Sequence, residues 1–320
     1  MGPLYLLSSG SKLRKDNHRL VVEMADEVLF RVPLREISSI VVTPAARIAQ
    51  SVLFACLRER IPVFFINGRC ELLGTLAPES APLGMLRHQM AYVENAALSL
   101  SLAKMVVKEK IDNQYHLLKS YAKTVQQEDL RQALSLLRAL RKKVDPISSC
   151  TALRGLEGAA ARAYFSAFAA LLDPRLWQFP RRSRHPAKDA PNALLNLGYA
   201  FLEREVRSAI VALHLDPRLG FLHTSNGRKD SLVYDLMELF RQSVIDRFVL
   251  RLLRLKMLKP VDFSMDNAGG LYLSDSARDA WIRRYEAYMT KPYQHYSGKS
   301  PRDYIRSRLA DFVHMLYQQS

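Results

Sequence analysis

Pro78-Glu-Ser-Ala-Pro-Leu-Gly-Met-Leu86 is the stretch on which the reading of the fold turns. Two prolines and a serine within five residues interrupt any regular element, so Pro78–Pro82 reads as a linker. Upstream, apolar residues come in short β-prone runs. Downstream, from about Leu86, they recur at three- and four-residue spacing to the end of the chain. This predicts an α+β multidomain protein: a small N-terminal β-rich domain over residues 1–82 and a larger all-α domain over residues 83–320. A length of 320 residues exceeds the size at which one core usually stops growing, which agrees with two domains.

In the N-terminal part the β-prone runs are Leu4–Leu7, Leu20–Glu23, Val28–Val32 and Ile37–Val42. Polar breaks at Ser8–Ser11 and Lys15–His18 separate them, a spacing that predicts hairpins and a small antiparallel sheet. Ala45–Arg60 reads as a helix, Pro62–Ile66 as a buried strand turned by Asn67-Gly68, and Cys70–Thr75 as its partner. In the second part helices are expected over Ala91–Tyr121, Asp129–Lys143, Thr151–Leu172, Asn192–Leu215, Ser231–Leu258 and Ser276–Met289. Phe263–Met265 and Gly270–Leu273 form a short hairpin between the last two. Ser300-Pro301-Arg302-Asp303 opens a terminal helix with a serine N-cap, proline at N1 and an acid at N3.

No run of about 18 apolar residues appears, so no membrane span is expected. The N-terminus lacks a basic segment before its short apolar run and does not read as a signal peptide. The three cysteines, Cys56, Cys70 and Cys150, are widely spaced, which suits a reducing cytoplasm and excludes a disulfide framework or a Cys-type zinc site. Net charge is +16 and uneven. Of 47 basic and 31 acidic residues, 10 and 8 fall in residues 1–80, leaving 37 and 23, or +14, for residues 81–320. A basic excess confined to one domain points to a polyphosphate partner, DNA or RNA, because neutralised phosphates release their counterions.

Gly220-Phe-Leu-His-Thr-Ser-Asn-Gly-Arg-Lys-Asp-Ser-Leu-Val-Tyr-Asp-Leu-Met-Glu-Leu-Phe-Arg241 carries the chemistry-bearing residues at highest density. An apolar dipeptide delivers His223 to a polar, basic loop turned at Asn226-Gly227; Asp235 and Glu238 follow, three apart on one side of a helix. A hard divalent cation takes several oxygens and tolerates one imidazole, so a third ligand is needed. Glu157 supplies it, as a carboxylate on a stripe with Ala160, Ala161, Tyr164 and Phe168, where an ionised acid is costly unless paired or bound to metal. An ion pair with Arg154 or Arg162 is the alternative. For DNA contact the candidates are Arg181, Arg182 and Arg184, in a loop that interleaves basic residues with Trp177 and Phe179, together with Arg228, Lys229 and Arg241.

Glu157 in Gly-Leu-Glu-Gly-Ala-Ala-Ala, then Asn192-Ala-Leu-Leu-Asn-Leu-Gly-Tyr199, Leu215-Asp-Pro-Arg-Leu-Gly-Phe-Leu-His223 and Ser231-Leu-Val-Tyr-Asp-Leu-Met-Glu238: this order resembles the CRISPR-associated Cas1 family. The resemblance implies a spacer-acquisition integrase and endonuclease, a metal-dependent enzyme in which a 3′-hydroxyl attacks a phosphodiester of the CRISPR repeat. It implies Mn²⁺ or Mg²⁺ on Glu157, His223 and Glu238, with Asp235 in support. As partners it implies DNA, a Cas2 protein and a second copy of the chain in a homodimer; the low charge of residues 1–80, with apolar runs enough to bury a sheet, places that dimer on the N-terminal domain. The alternatives are a stand-alone metal-dependent nuclease using water as nucleophile, and a basic architectural DNA-binding protein whose acids are structural.

Overall fold

A computed structural model of the chain describes residues 1–77, 82–122, 125, 128–183, 186–223 and 230–318. They form two compact units, Met1–Leu86 with Arg207–Asp216, and Arg87–Val206 with Pro217–Ser320. An N-terminal mixed β region followed by a helical region is the expected α+β class.

The β region differs in topology from a single antiparallel sheet. Strands β1 (Gly2–Leu6), β5 (Ile37–Val42), β7 (Val63–Ile66) and β8 (Leu72–Leu76) make one sheet in the order β1-β5-β7-β8. Its first two pairings are parallel and only β7–β8 is antiparallel. Parallel neighbours need long crossovers. The β1–β5 crossover contains the next three strands, and the β5–β7 crossover contains α1 (Gln50–Arg58). Within β5 the run Ile40-Val-Val42 is buried at every position, as in strands covered on both faces. A second sheet runs β4 (Glu27–Pro33), β3 (Arg19–Met24), β2 (Ser11–Asp16), β6 (Arg47–Ile48), antiparallel except for β2–β6. Strand β2 spans the gap between two expected polar breaks, Ser8–Ser11 and Lys15–His18, and overlaps both; no run is legible there because in Ser-Lys-Leu-Arg-Lys-Asp only Ser11 and Leu13 turn inward. The expected start of α1 at Ala45 is likewise corrected, since Arg47-Ile48 pairs beside β2. Leu4, Leu6, Leu13, Leu20, Ile40, Val52 and Val63 share one core between the sheets and α1.

The helical unit follows the period more closely. Helices α2 (Leu83–Glu94) and α3 (Ala96–Tyr121) replace the single start at Ala91. Asn95 divides them by N-capping α3, its Oδ1 accepting from the Ala97 and Leu98 amides. Then come α4 (Glu128–Lys142), α5 (Cys150–Ala169) capped by Ser149, and α6 (Ala190–Ala212). The expected Ser231–Leu258 helix is broken into α7 (Ser231–Met237), a π-helical segment Arg241–Asp246 and α8 (Arg247–Arg254). At residues 238–240 the bonds tighten to i→i−3 before loosening into the π turn. The carbonyls are taken from outside: Asn113 Nδ2 donates to Leu239 O, Tyr296 to Ser243 O and Tyr288 to Val244 O. Such departures from α geometry recur at functional sites. Helix α3 packs against α4, α5 and this π segment. The hairpin β9 (Phe263–Met265) and β10 (Leu271–Leu273), α9 (Asp275–Thr290) and α10 (Pro301–Gln318) complete the chain. At the start of α10 the Asp303 amide bonds Ser300 Oγ, as the sequence predicts.

Arg302 is 3% exposed and donates to Glu205 on α6 and Glu286 on α9, tying three helices at one guanidinium. Removing one member of a buried charge cluster strands the others. Arg302→Ala is expected to lower unfolding free energy by about 3 kcal/mol, read from the urea midpoint at unchanged slope. An unaltered midpoint would show the cluster to be energetically idle.

Candidate active site

Asp235 on α7 is wholly buried and organises the approach to His223. Its Oδ2 accepts from the amides of Phe221 (2.7 Å) and Leu222 (2.9 Å), and its Oδ1 from the amide of His223 (2.9 Å). The same Oδ1 stands 2.7 Å from His223 Nδ1. A carboxylate needs a donor there, so Nδ1 carries a proton, which leaves Nε2 as the nitrogen through which a neutral imidazole would ligate a metal. Asp235 therefore holds both the backbone and the ring of His223 in place. The turn closes over it because position 220 is glycine: a Cβ would lie 2.7 Å from Asp235 Oδ2 and equally close to Ser231. Gly220 N also donates to Ser231 Oγ, which bonds Arg218 O.

Glu157 on α5 and Glu238 at the end of α7, distant in sequence, meet at one cation. The ammonium of Lys110 on α3 hydrogen-bonds Glu157 Oε1 and lies 2.7 Å from Glu238 Oε2. Arg241 holds the other oxygen of Glu238, Nε to Oε1 at 3.0 Å. Burial pushes the Glu238 carboxyl up, but Arg241 and Lys110, with a smaller contribution from His223, outweigh it and hold it at about 2. Lys110 is raised above the ordinary lysine value although burial opposes it, because Glu238 and Glu157 both favour the ammonium. Among the described residues Glu157 thus pairs with neither Arg154 nor Arg162 but with a lysine from another helix.

Among the described residues no three histidine, cysteine or acidic side chains form a ready-made metal cluster. The donor set nevertheless suits a hard cation: two carboxylates converge on a positive charge, and a histidine is near enough to be felt by one of them. Glu238 Oε2 is buried against the Lys110 ammonium at 2.7 Å, the side on which this carboxylate already accepts a cation.

Behind this centre lies a second buried acid. Asp246, at the end of the π segment, accepts from Tyr164 on α5 (2.8 Å) and Tyr199 on α6 (2.6 Å). The guanidinium groups of Arg241 and Arg182 both stack on the Tyr199 ring. Gly198 lets the π segment approach, since a Cβ there would meet Ile245 Cγ2 at 2.5 Å. Of the residues expected to face DNA, Arg241 and Arg182 are thus engaged inside the fold, Arg182 also donating to Asn192 and Asn196. Arg181 is exposed. Arg184, Arg228 and Lys229 lie outside the described residues.

Lys110 and Asp246 escape the sequence reading, though a signal existed for both. Lys110 and Gln114 share the apolar stripe of α3 with Val106, Val107, Ile111 and Leu118, which is the logic that exposed Glu157. Asp246 carried the same signal, as an acid at helical spacing with Val249, Leu250 and Leu253.

The family model described as CRISPR associated protein Cas1 matches residues 4–287. The chain is 34% identical to a CRISPR-associated endonuclease Cas1 of Thermodesulfovibrio yellowstonii, over 81% of this chain and 82% of that one. It is 31% identical to a Cas4 exonuclease/Cas1 endonuclease fusion of Leptospira interrogans over 91% of its length, but spans only 56% of that longer protein. A Cas1 protein from Thermotoga maritima superposes with a TM-score of 0.84 at 27% identity, covering 99% of this chain and 97% of that one. A chain of a Cas6-RT-Cas1–Cas2 complex superposes at 0.83 and 23% identity, covering 99% of this chain and 35% of that one, and shows the fold alone.

Two measurements check the geometry. Gly220→Ala must move Asp235 or the 217–223 turn, and is expected to cost about 1–3 kcal/mol by urea unfolding, as overpacking does; an unchanged midpoint would mean the cradle opens freely. The buried acids give opposite pH slopes. Burial, against the Tyr199 and Tyr164 hydrogen bonds, pushes Asp246 up to about 6, so the folded state holds its proton more tightly than the unfolded chain does. Its contribution to stability is therefore lost as pH rises from about 4 to 6, whereas that of Glu238 is lost as pH falls from about 4.5 towards 2. Asp246→Asn is expected to flatten the thermal-melt profile between pH 4 and 6; an unchanged slope there would contradict the assignment.

Proposed function

The chain belongs to the Cas1 family of CRISPR-associated proteins, and from that premise we propose that it is a metal-dependent DNA integrase and endonuclease acting at Glu157, His223 and Glu238. The observation that carries the reading is the meeting of Glu157 and Glu238 at one buried cation beside a histidine whose Nδ1 is held by Asp235. Mn²⁺ or Mg²⁺ held by Glu157, Glu238 and Nε2 of His223 would polarise the scissile phosphate and stabilise charge on the leaving oxygen.

The chain's own residues do the rest. Asp235 fixes the imidazole tautomer and the path of residues 221–223. Arg241 holds Glu238 in position from its far oxygen, and is itself stacked on Tyr199. In strand joining, a donor 3′-oxygen forms a bond to phosphorus in the repeat, the bond to the outgoing 3′-oxygen breaks, the proton of the attacking hydroxyl passes to solvent, and solvent returns one to the outgoing oxygen, which leaves as a hydroxyl. The basic excess of residues 81–320 supplies sequence-independent affinity for the phosphates. The substrates are short DNA duplexes and a CRISPR repeat, and the partner is a Cas2 protein, the kind of assembly named for the Cas6-RT-Cas1–Cas2 structure.

The N-terminal sheets support a homodimer. Strand β4 is the edge of its sheet and exposes Val28, Leu29 and Phe30 by 44, 54 and 47%. Three adjacent apolar side chains on an unpaired edge are a hazard unless covered, and a second copy covers them symmetrically. Light scattering on the full chain at micromolar concentration should report a dimer, and Leu29→Lys should shift it towards monomer; a monomeric wild type would remove this reading.

Glu157→Ala tests the chemistry. It removes a ligand but leaves the basic surface, so binding to a DNA duplex is expected to stay within about threefold of wild type. Joining of a labelled donor to a repeat-bearing plasmid, with Cas2 and Mn²⁺ present, should fall by a hundredfold or more, on the order of a lost catalytic ion. Equal joining by the variant would hand the protein to the architectural reading. Wild type that cuts and never joins would favour the nuclease.

A further inference from the structure

Lys110 is 8% exposed, and its ammonium is shared between Glu157 and Glu238. We propose that Lys110 is the resident cation of this centre: it occupies the position between the two carboxylates while no metal is bound, leaves when a divalent ion enters, and so sets how tightly that ion is held. This rests on the assignment of Glu157 and Glu238 as ligands.

The ammonium faces Glu157 Oε1 and Glu238 Oε2, and Arg241 already takes Glu238 Oε1, so an ion reaching Glu238 comes in on the side where the ammonium stands. Ion and ammonium are therefore two cations drawn to the same gap between the two carboxylates, and they compete for it. Charge argues the same way. With Lys110 in place, Glu157, Glu238 and Lys110 sum to −1; with the ammonium gone, the pair presents −2 to the incoming ion. Lys110 holds Glu238 as an ion pair at 2.7 Å. Departure asks little of the backbone. Asn113 Nδ2 fixes α3 to Leu239 O one turn of chain away, so only the four-carbon stem of Lys110 has to swing.

An ammonium expelled from between carboxylates needs another anion, and a DNA phosphate approaching the same ion supplies one. Metal and DNA should then bind with positive coupling, each relieving the cost of displacing Lys110 for the other. A lysine that merely tied α3 to α5 and α7 would give no such competition.

The experiment uses the full chain and Mn²⁺ alone, with free Mn²⁺ followed by electron paramagnetic resonance. Lys110→Met keeps the length of the stem and removes the charge; it is expected to bind Mn²⁺ about tenfold more tightly than wild type, the middle of the usual coupling range. Glu157→Ala serves as the control for the site itself. Should Lys110→Met not fold, wild type decides: acetylation of Lys110, read by mass spectrometry, is expected to be slow without Mn²⁺ and about tenfold faster with it, at the same scale of coupling. A folded Lys110→Met that binds no more tightly, or acetylation indifferent to Mn²⁺, overturns the resident-cation proposal and leaves the metal site standing. If wild type binds no Mn²⁺, or Glu157→Ala binds it as well as wild type, the metal assignment fails and takes this proposal with it.

Discussion

Two carboxylates facing one another in a largely water-excluded centre are the constraint on which the helical unit depends. Glu157 and Glu238 repel, and burial alone would drive Glu238 to take up a proton. Instead Glu238 is held ionised at about 2, which only strong local compensation achieves. Lys110 from α3 and the Arg241 guanidinium from the π segment provide it. Because the compensating charges come from different elements than the acids they serve, α3, α5, α7 and the π segment must assemble together. An intermediate that lacks any one of them buries an unpaired charge, so the electrostatics of the centre also enforce its architecture.

The π segment is the second consequence. A regular α-helix from residue 231 to 254 would carry Glu238, Arg241 and Asp246 round at 100° per residue. Tightening at 238–240 and loosening at 241–246 instead lets Glu238 meet Lys110 while Asp246 points to Tyr164 and Tyr199. The distortion costs helical hydrogen bonds, and Asn113, Tyr288 and Tyr296 replace them at the vacated carbonyls. Local irregularity is thus fixed from outside by three side chains, which is what distinguishes a retained distortion from slack.

What the sequence made legible, and what it hid, divides along the same physical line. Periodicity found most helices because each has an apolar face, and it found Glu157 because an acid on such a face is out of place. Asp235 and Glu238 were visible as helical acids beside a histidine. The partners were not: Lys110 lies 47 residues from Glu157, and a single chain without alignment does not say which out-of-place charge answers which. The parallel pairing of β1, β5 and β7 was hidden for a like reason. Strand pattern reports which faces are buried, and pairing direction follows from crossovers whose path the pattern does not encode. Strand β2 was missed because one inward leucine among four charged residues leaves almost no alternation to read.

The same reasoning clarifies where the positive charge acts. Arg182 and Arg241 look in sequence like phosphate contacts, yet both stack on Tyr199 inside the fold. Arg302 and Arg308 pair with glutamates, and Lys110 with two of them. An internal pair, however, removes one positive and one negative charge together. The excess of 14 basic over acidic side chains in residues 81–320 cannot be consumed that way. Unpaired charge is expelled from interiors by its desolvation cost, so the excess must stand at the surface even though the arginines nearest the site do not. Affinity for a phosphate backbone then belongs to the domain's exterior as a whole, while the inward arginines set the geometry of the acids. The two uses of one residue type are separated by burial, which composition does not record.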